Sequence, residues 1–465
     1  MSRPSEKLIR GLTLVDASSI VIGTVIGTGI FIVPAYMAQA VRTPLLVFAV
    51  WIVAGLLSLA GALTYAELGA AFPAAGGEYV YIREAYGSLF GFMYGWTYFL
   101  VGKTGSLATL ATGFALYFAD LHPLSRVYFR YQYSFFGHPA ALTLSDQVLM
   151  AIGVIAFLSL VNVFGVVTGG RLQSFLTALK VGTLLLIVAL ALILGHGTIS
   201  NFSTHLTPVA QAGLISLFGV AMIKALWAYD GWNNCNMVAG EVRNPQRNIP
   251  LSLIYGTGGV MLLYLLVNFA YFYVLPIDRV AASPRVAADV AKTFLGSMGG
   301  KFVVVAVLIS TFAAINGSIL SGARIYFAMA EDRLFFAKVA SVHPRFRTPV
   351  FSILLQAIWA SLLTLTGTYD QLLTYVIFAE WILYGLGTAS VFVLRKKYPH
   401  IERPYRTWGY PVVPLLFVFA AVLLLGNVLV TDTKDSLMGL FLIVLGLPAY
   451  GLWRRKALAT GNAGD

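Results

Sequence analysis

The sequence predicts an all-α polytopic membrane protein of twelve transmembrane helices, two of them discontinuous. Three observations predict it. Of 465 residues, 58% are apolar and 11% charged, against roughly 45–50% and about 25% in soluble domains. Apolar runs of about 20 residues, the length a helix needs to cross about 30 Å of hydrocarbon, recur along nearly the whole chain. Two of these runs carry glycine-rich interruptions, GTVIGTGIF at 23–31 and WAYDGWNN at 227–234.

The spans fall at 13–41, 44–72, 86–119, 145–165, 170–195, 212–240, 249–275, 299–331, 348–367, 371–394, 411–431 and 435–453. The first follows a polar, basic start. It is too long for a signal-peptide core and lacks a cleavage site, so it reads as a retained helix. The spans at 86–119 and 299–331 are long enough to tilt strongly. With the N-terminus inside, 19 of the 31 Lys and Arg fall on inner segments and 8 on outer ones. That asymmetry places both termini in the cytoplasm of a multi-pass protein of the cell inner (plasma) membrane. Residues 120–144 read as an outer loop with Pro123 and Pro139, and 276–298 as a short helical cap. The basic, aromatic stretch 395–410 reads as a solvated inner loop.

The breaks lie in spans 1 and 6. The second break comes five spans after the first, so the two halves run in opposite orientation. The expected organisation is a cytoplasmic tail (1–12), a first five-helix repeat (13–195), a second, inverted one (212–394), two additional helices (411–453) and a cytoplasmic tail (454–465).

A membrane helix that interrupts its own hydrogen bonding must satisfy the freed groups, usually by lining a ligand site or cavity. Two such breaks at matching places point to a secondary transporter with its site between them. The cluster Gly27-Thr28-Gly29, followed by Pro34, is denser than helix packing requires. An unwound turn there exposes N–H groups of the second half-helix, which suit a carboxylate. The carbonyls of the first half-helix suit an ammonium. One break therefore has the chemistry to hold both ends of an α-amino acid. The expected contacts are Val25, Ile26, Gly27, Thr28, Gly29 and Ile30 on one side, and Trp227, Ala228, Asp230 and Gly231 on the other. Asp230 reads either as a cap for the second half-helix or as a cavity group near the substrate amine. Trp232 and Asn233 are candidate gating or selectivity residues.

Lys180 lies deep in span 5, where a charge is costly and by default functional. Its expected role is to present a fixed ammonium to carbonyls freed at the first break, with Gly23 and Ser318 as partners. Snorkelling is the alternative for the lysine, and a bond to its own helix the alternative for the serine. Lys103, near the middle of span 3, is a candidate for reading an anionic side chain. Arg324 reads as structural, and Glu67 and Glu241 as gate ion pairs. There is no P-loop, metal-ligand cluster or nucleophile elbow, so no enzyme, cofactor or metal is expected. The net charge of +12 reads as the positive-inside bias, with membrane lipids and no nucleic acid as partners. Cys235 is the single cysteine, so no intramolecular disulfide forms.

The segments GTVIGTGIF, ALWAYDGWNNCNMVAGEVRNPQRNIP, AAINGSILSGARIYFAMAEDRL and HPRFRTPVFS resemble the amino acid–polyamine–organocation (APC) superfamily, most closely its bacterial L-type amino acid transporter (LAT) homologues. The resemblance runs from about residue 8 to 453. It implies the leucine-transporter (LeuT) fold with its 5+5 inverted repeat. By the same resemblance, carboxylate contacts fall on Thr28 and Gly29, and amine contacts on carbonyls around Val25. Trp227 stands where relatives often have Phe, and Asp230 where some have Gly. Lys180 matches the branch's span 5 lysine, Ser318 the serine of sodium-bound relatives, and Lys103 a basic residue of some relatives with charged substrates. The implied function is transport of L-amino acids by alternating access, as sodium-independent exchange (antiport) or facilitated diffusion. A proton-coupled amino acid or polyamine symporter is the alternative. Animal members join a heavy chain through a cysteine between spans 3 and 4. Residues 120–144 hold none, so no disulfide-linked heavy chain is expected.

Overall fold

A computed structural model of the chain describes residues 8–135, 138–206, 213–366, 369–431 and 433–459. The expected cytoplasmic tails, 1–12 and 454–465, lie outside these residues except for 8–12 and 454–459. Among the described residues, eight helices are long and apolar enough to cross a membrane, or nine if one sharply bent pair counts as a single span.

That pair is α1 (Leu14–Val25) and α2 (Gly29–Val41), bent by 41°. Thr13 and Asp16 form a capping box at the start of α1, each closing the other's free backbone N–H. The helix ends in the glycine cluster, and α2 continues past an internal Pro34. Pro44 occupies the first turn of α3 (Pro44–Ala71), with the Thr43 hydroxyl capping Leu46 N–H. A short α4 (Glu78–Tyr86) leads to α5 (Ser88–Thr97). A π-helical turn, Tyr98–Gly102, joins α5 to α6 (Lys103–Phe118). Such turns recur at functional positions in helices, and here the turn sets the rotation at which Lys103 emerges.

The all-α expectation needs one correction. In the expected outer loop, β1 (Val127–Phe135) pairs antiparallel with β2 (His138–Ser145). The physical reason is composition: alternating Val, Tyr and Phe suit a pleated backbone. Then follow α7 (Asp146–Val163), capped by Ser145, and α8 (Val166–Leu194). The second broken segment is α9 (Leu214–Ala228) and a short α10 (Asn234–Met237). After it come α11 (Pro245–Val274), two short helices α12 (Ile277–Ala282) and α13 (Val286–Leu295), and α14 (Ser297–Glu331). The chain finishes with α15 (Val350–Thr366), α16 (Tyr369–Lys397), α17 (Val412–Thr431), α18 (Thr433–Val444) and α19 (Gly446–Ala459). The expected cap at 276–298 is thus two helices, α12 and α13.

Burial sorts these helices. The most apolar window of α14 is 78% buried, whereas that of α17 is 22% buried and turns Leu415, Leu416, Phe419 and Val422 outward. An outward apolar face of this kind is what lipid contact requires. α1 packs on α8, α11 and α14, and α2 packs on α9, so the first break sits at the centre of the bundle.

At the end of the bundle away from β1 and β2, ion pairs tie the helices together. Arg324 is fully buried and meets both carboxylate oxygens of Glu241 at 2.6 and 3.0 Å. Arg395 grips Glu67 at 2.8 and 2.7 Å. Arg83 of α4 pairs with Asp332 at the end of α14, and Tyr79 bonds the same carboxylate at 2.6 Å.

Candidate functional site

The two breaks face each other. The Thr24 hydroxyl lies 2.9 Å from the Gly231 carbonyl of the second break and 2.7 Å from Ile20 O of its own helix, and its single proton bonds one of them at a time. Gly231 holds φ +102, a conformation open to glycine. A Cβ on Gly29 would meet Ala228 Cβ at 2.8 Å and Ala228 Cα at 3.0 Å. The start of α2 therefore approaches the end of α9 more closely than any side chain allows.

The carbonyls at the end of α1 cannot continue the helix and are taken by three other helices. Lys180 of α8 donates to Gly23 O at 2.7 Å, Ile26 O at 2.6 Å and Ser310 O at 2.8 Å. An ammonium has three protons, so all three are used, and the lysine is 1% exposed. Ser310 of α14 donates its hydroxyl toward Ile26 O at 2.9 Å and Gly27 O at 3.1 Å. The Tyr264 hydroxyl of α11 lies 3.0 Å from both Val25 O and Ala228 O, one from each break. With a single proton it bonds one of them at a time.

Between the breaks lies a small, partly open cavity. Its walls include Val25, Gly27, Thr28 and Gly29 from the first break and Trp227, Ala228, Asp230 and Gly231 from the second. Lys103, Ser106 and Thr109 of α6, Asn234 and Ser318 complete the polar part of the wall. The first N–H groups of any α-helix have no partner within it, and α2 begins at Gly29 on this wall. Amide donors and carbonyl acceptors thus meet in one small space, which can hold the two ends of a zwitterion.

The expected residues divide into those on the wall and those behind it. Ile26 and Ile30 are fully buried and stand off the cavity; Ile26 contributes its carbonyl to Lys180 instead. Ser318 lies on the cavity wall, but the serine beside the lysine is Ser310, two helical turns earlier. Trp232 packs between Tyr65, Tyr384 and Phe417, away from the cavity. Asn233 is buried and donates to Glu78. Lys103 donates to Asn234 Oδ1 at the cavity edge. Asp230 accepts from the Tyr384 hydroxyl of α16 at 2.5 Å and also from the backbone N–H of Gly231 in its own segment.

Four contributors carry little signal in the sequence: Tyr264, Ser310, Tyr384 and Asn234. A tyrosine or serine inside an apolar span resembles any packing residue. The spacing of Lys180 to Tyr384 relative to the two breaks, taken up below, was a usable signal for the third.

The sequence profile of the amino acid permease family matches residues 12–447. The chain is 34% identical over 464 residues to the "Serine/threonine exchanger SteT" of Bacillus subtilis (strain 168), covering 98% of this chain and 100% of that one. It is 30% identical to the human "Cystine/glutamate transporter", over 97% of this chain and 87% of the relative. The human "b(0,+)-type amino acid transporter 1" is also 30% identical, over 97% and 89%. Every relative named is a transporter, and the match runs from the capped start of α1 to the end of the bundle. The chain belongs to the amino acid permease family of the APC superfamily, whose members are membrane transporters and not enzymes.

Proposed function

We propose that this protein exchanges or facilitates L-amino acids across the plasma membrane by alternating access, independently of sodium. The observation that carries the reading is the Lys180 ammonium. It sits on the carbonyls of the first break, at 2.7 and 2.6 Å from Gly23 O and Ile26 O. A fixed cation there does for the unwound backbone what a bound sodium ion would otherwise do. The substrate carboxylate goes to the amides around Thr28 and Gly29. Its ammonium goes to the carbonyl of Val25 or Ala228 that Tyr264 leaves without a proton, close to Asp230.

The reading includes twelve spans with both termini cytoplasmic, in the leucine-transporter architecture. A numerical regularity supports the 5+5 inverted repeat (13–195 and 212–394) with two additional helices (411–453). Gly27 and Gly231 at the breaks are 204 positions apart. Lys180, which braces the first break from α8, and Tyr384, which braces the second from α16, are also 204 apart. So are Ser106 on the cavity wall and Ser310 on the first break. Three functional pairs at one offset are what a duplicated unit produces. Cys235, the one cysteine of the chain, is buried, which argues against a disulfide-linked subunit.

The test is exchange in proteoliposomes. Vesicles preloaded with one amino acid are offered radiolabelled amino acids in turn, in sodium and in choline buffers. Labelled uptake that needs internal amino acid and ignores sodium supports exchange. Uptake into empty vesicles that follows a sodium gradient overturns it.

A further inference from the structure

A second buried polar group lies behind the other break and is not used by the reading above. Glu78 opens α4, between the second and third spans, and is completely buried. Asn233, three residues past Asp230, donates its amide to Glu78 Oε1. The other oxygen, Oε2, has no hydrogen-bond partner among the described residues, and neither does Asn233 Oδ1 beside it. The buried hydroxyls of Tyr94 and Tyr98 adjoin one another, and Tyr94 also adjoins the Glu78 carboxyl. Tyr65 and Glu78 both crowd the space above Gly387 of α16, so these atoms share one pocket of the bundle.

The charge balance of this region is uneven. Lys103 from α6 is the cation of the cluster. Asp230 from the break, Glu380 from α16 and Glu78 are its carboxylates, each at most about a third exposed and Glu380 only 3% exposed. The remaining titratable neighbours of Glu78 on other elements are phenols: Tyr65 of α3, Tyr94 of α5 and Tyr98 of the π turn. On its own helix, Tyr79 and Arg83 turn away to Asp332, and Tyr81 bonds Asn236. One lysine cannot neutralise three carboxylates, and an uncompensated charge in a dry bundle costs several kcal/mol. A carboxylate oxygen with no donor is where a proton relieves that cost, because the protonated acid supplies the donor the site lacks.

We propose that Glu78 is a proton-binding site behind the second break, and that taking up a proton there frees Asn233 and α10 for the opening of the bundle. A proton from water on that side joins Oε2 and donates to the oxygen of a neighbouring phenol, such as Tyr94. The charged bond from Asn233 to Oε1 becomes an ordinary one. Gly76 N–H, two residues before Glu78, holds the Met237 carbonyl at the end of α10 at 2.9 Å. Loosening at Glu78 therefore reaches the half-helix that must move. Burial pushes the Glu78 carboxyl up to about 7, against the pull of the Asn233 amide and the Lys103 ammonium. The site is thus placed to exchange its proton near neutral pH.

The inference on transport rests on the cavity being the amino acid site; the proton site itself does not. Two measurements separate them. Infrared difference spectra of the purified full-length protein, titrated across neutral pH, should show a buried carboxylic-acid C=O band that Glu78→Gln removes. No such band in the wild type, or its persistence in the variant, overturns the proposal whatever is transported. Exchange of radiolabelled L-serine in preloaded proteoliposomes, with both sides at equal pH, is the second. Wild-type exchange should fall about tenfold from pH 6 to pH 8, as for one group titrating near 7. Glu78→Gln should stay active and flat, and Glu78→Asp should keep a shifted profile. Exchange that ignores pH, or a Glu78→Gln variant that follows the wild-type profile, overturns the gating role. Absence of serine exchange in the wild type counts against the cavity reading, while the infrared band still decides the proton site.

Discussion

Replacing Lys180 by alanine removes an ammonium that saturates three carbonyls at 2.6–2.8 Å. The loss is not three full bonds. Ile26 O keeps the Ser310 hydroxyl at 2.9 Å, and Ser310 O lies inside α14. Gly23 O loses its charged donor in a site closed to solvent. One buried carbonyl left without a partner costs about 1–3 kcal/mol. That cost falls on the geometry of the break, not on the fold as a whole, because α1 stays packed on α8, α11 and α14. At about 1.4 kcal/mol per factor of ten, exchange should slow roughly 10- to 100-fold while the protein remains folded. The assay is initial-rate exchange in preloaded proteoliposomes, beside thermal unfolding and size-exclusion profiles of the same preparation. Lys180→Met, which keeps most of the side-chain volume, separates the charge from the packing and should be impaired like the alanine. Exchange within twofold of wild type in both variants would refute the reasoning that a fixed cation braces the break.

Gly29→Ala should reduce exchange at least tenfold, because its Cβ meets Ala228 at 2.8 Å and spreads the breaks; size exclusion should still report a folded protein. Tyr264→Phe removes the hydroxyl between Val25 O and Ala228 O and should weaken substrate affinity by about 1 kcal/mol, close to fivefold, read as KM in exchange. Glu241→Gln leaves the fully buried Arg324 without its counter-charge and should destabilise by about 3–5 kcal/mol, lowering the Tm and the yield. Glu84 of α4 is half-buried, which alone would raise its pKa, yet bonds from Arg83 and Tyr398 hold the carboxyl below its usual range. A depressed carboxylate stabilises the fold above its unfolded pKa near about 4.3. Its contribution should vanish as pH falls through the lowered value, and Glu84→Gln should show a smaller acid-induced drop in Tm.

Much of the membrane architecture is readable in the sequence because hydropathy reports solvent, and glycine clusters report broken backbone. The breaks at 26–28 and 229–233 are visible as Gly-Thr-Gly and Asp-Gly inside apolar runs. The lysine beside the first break is visible for the same reason, as a charge where none is cheap. What the sequence hides is rotation. α14 is so fully enclosed that its apolar residues show no single face, so nothing in it separates Ser310 from Ser318. The same blindness placed Trp232 at the cavity, whereas it packs on Phe417 of α17. Tyr264 is hidden because its role depends on a hydroxyl reaching two carbonyls 36 and 239 positions away. The pair β1 and β2 was legible in principle, since its aromatic, β-branched composition is a strand signal.

The bond from Thr24 to the Gly231 carbonyl has a mechanical consequence. Because Ile20 O competes for the same proton, the tie between the two broken segments can be let go and remade as they move. In the proposed mode of binding, an amino acid that reaches from Thr28 and Gly29 to the Ala228 carbonyl adds a second tie between the same two segments.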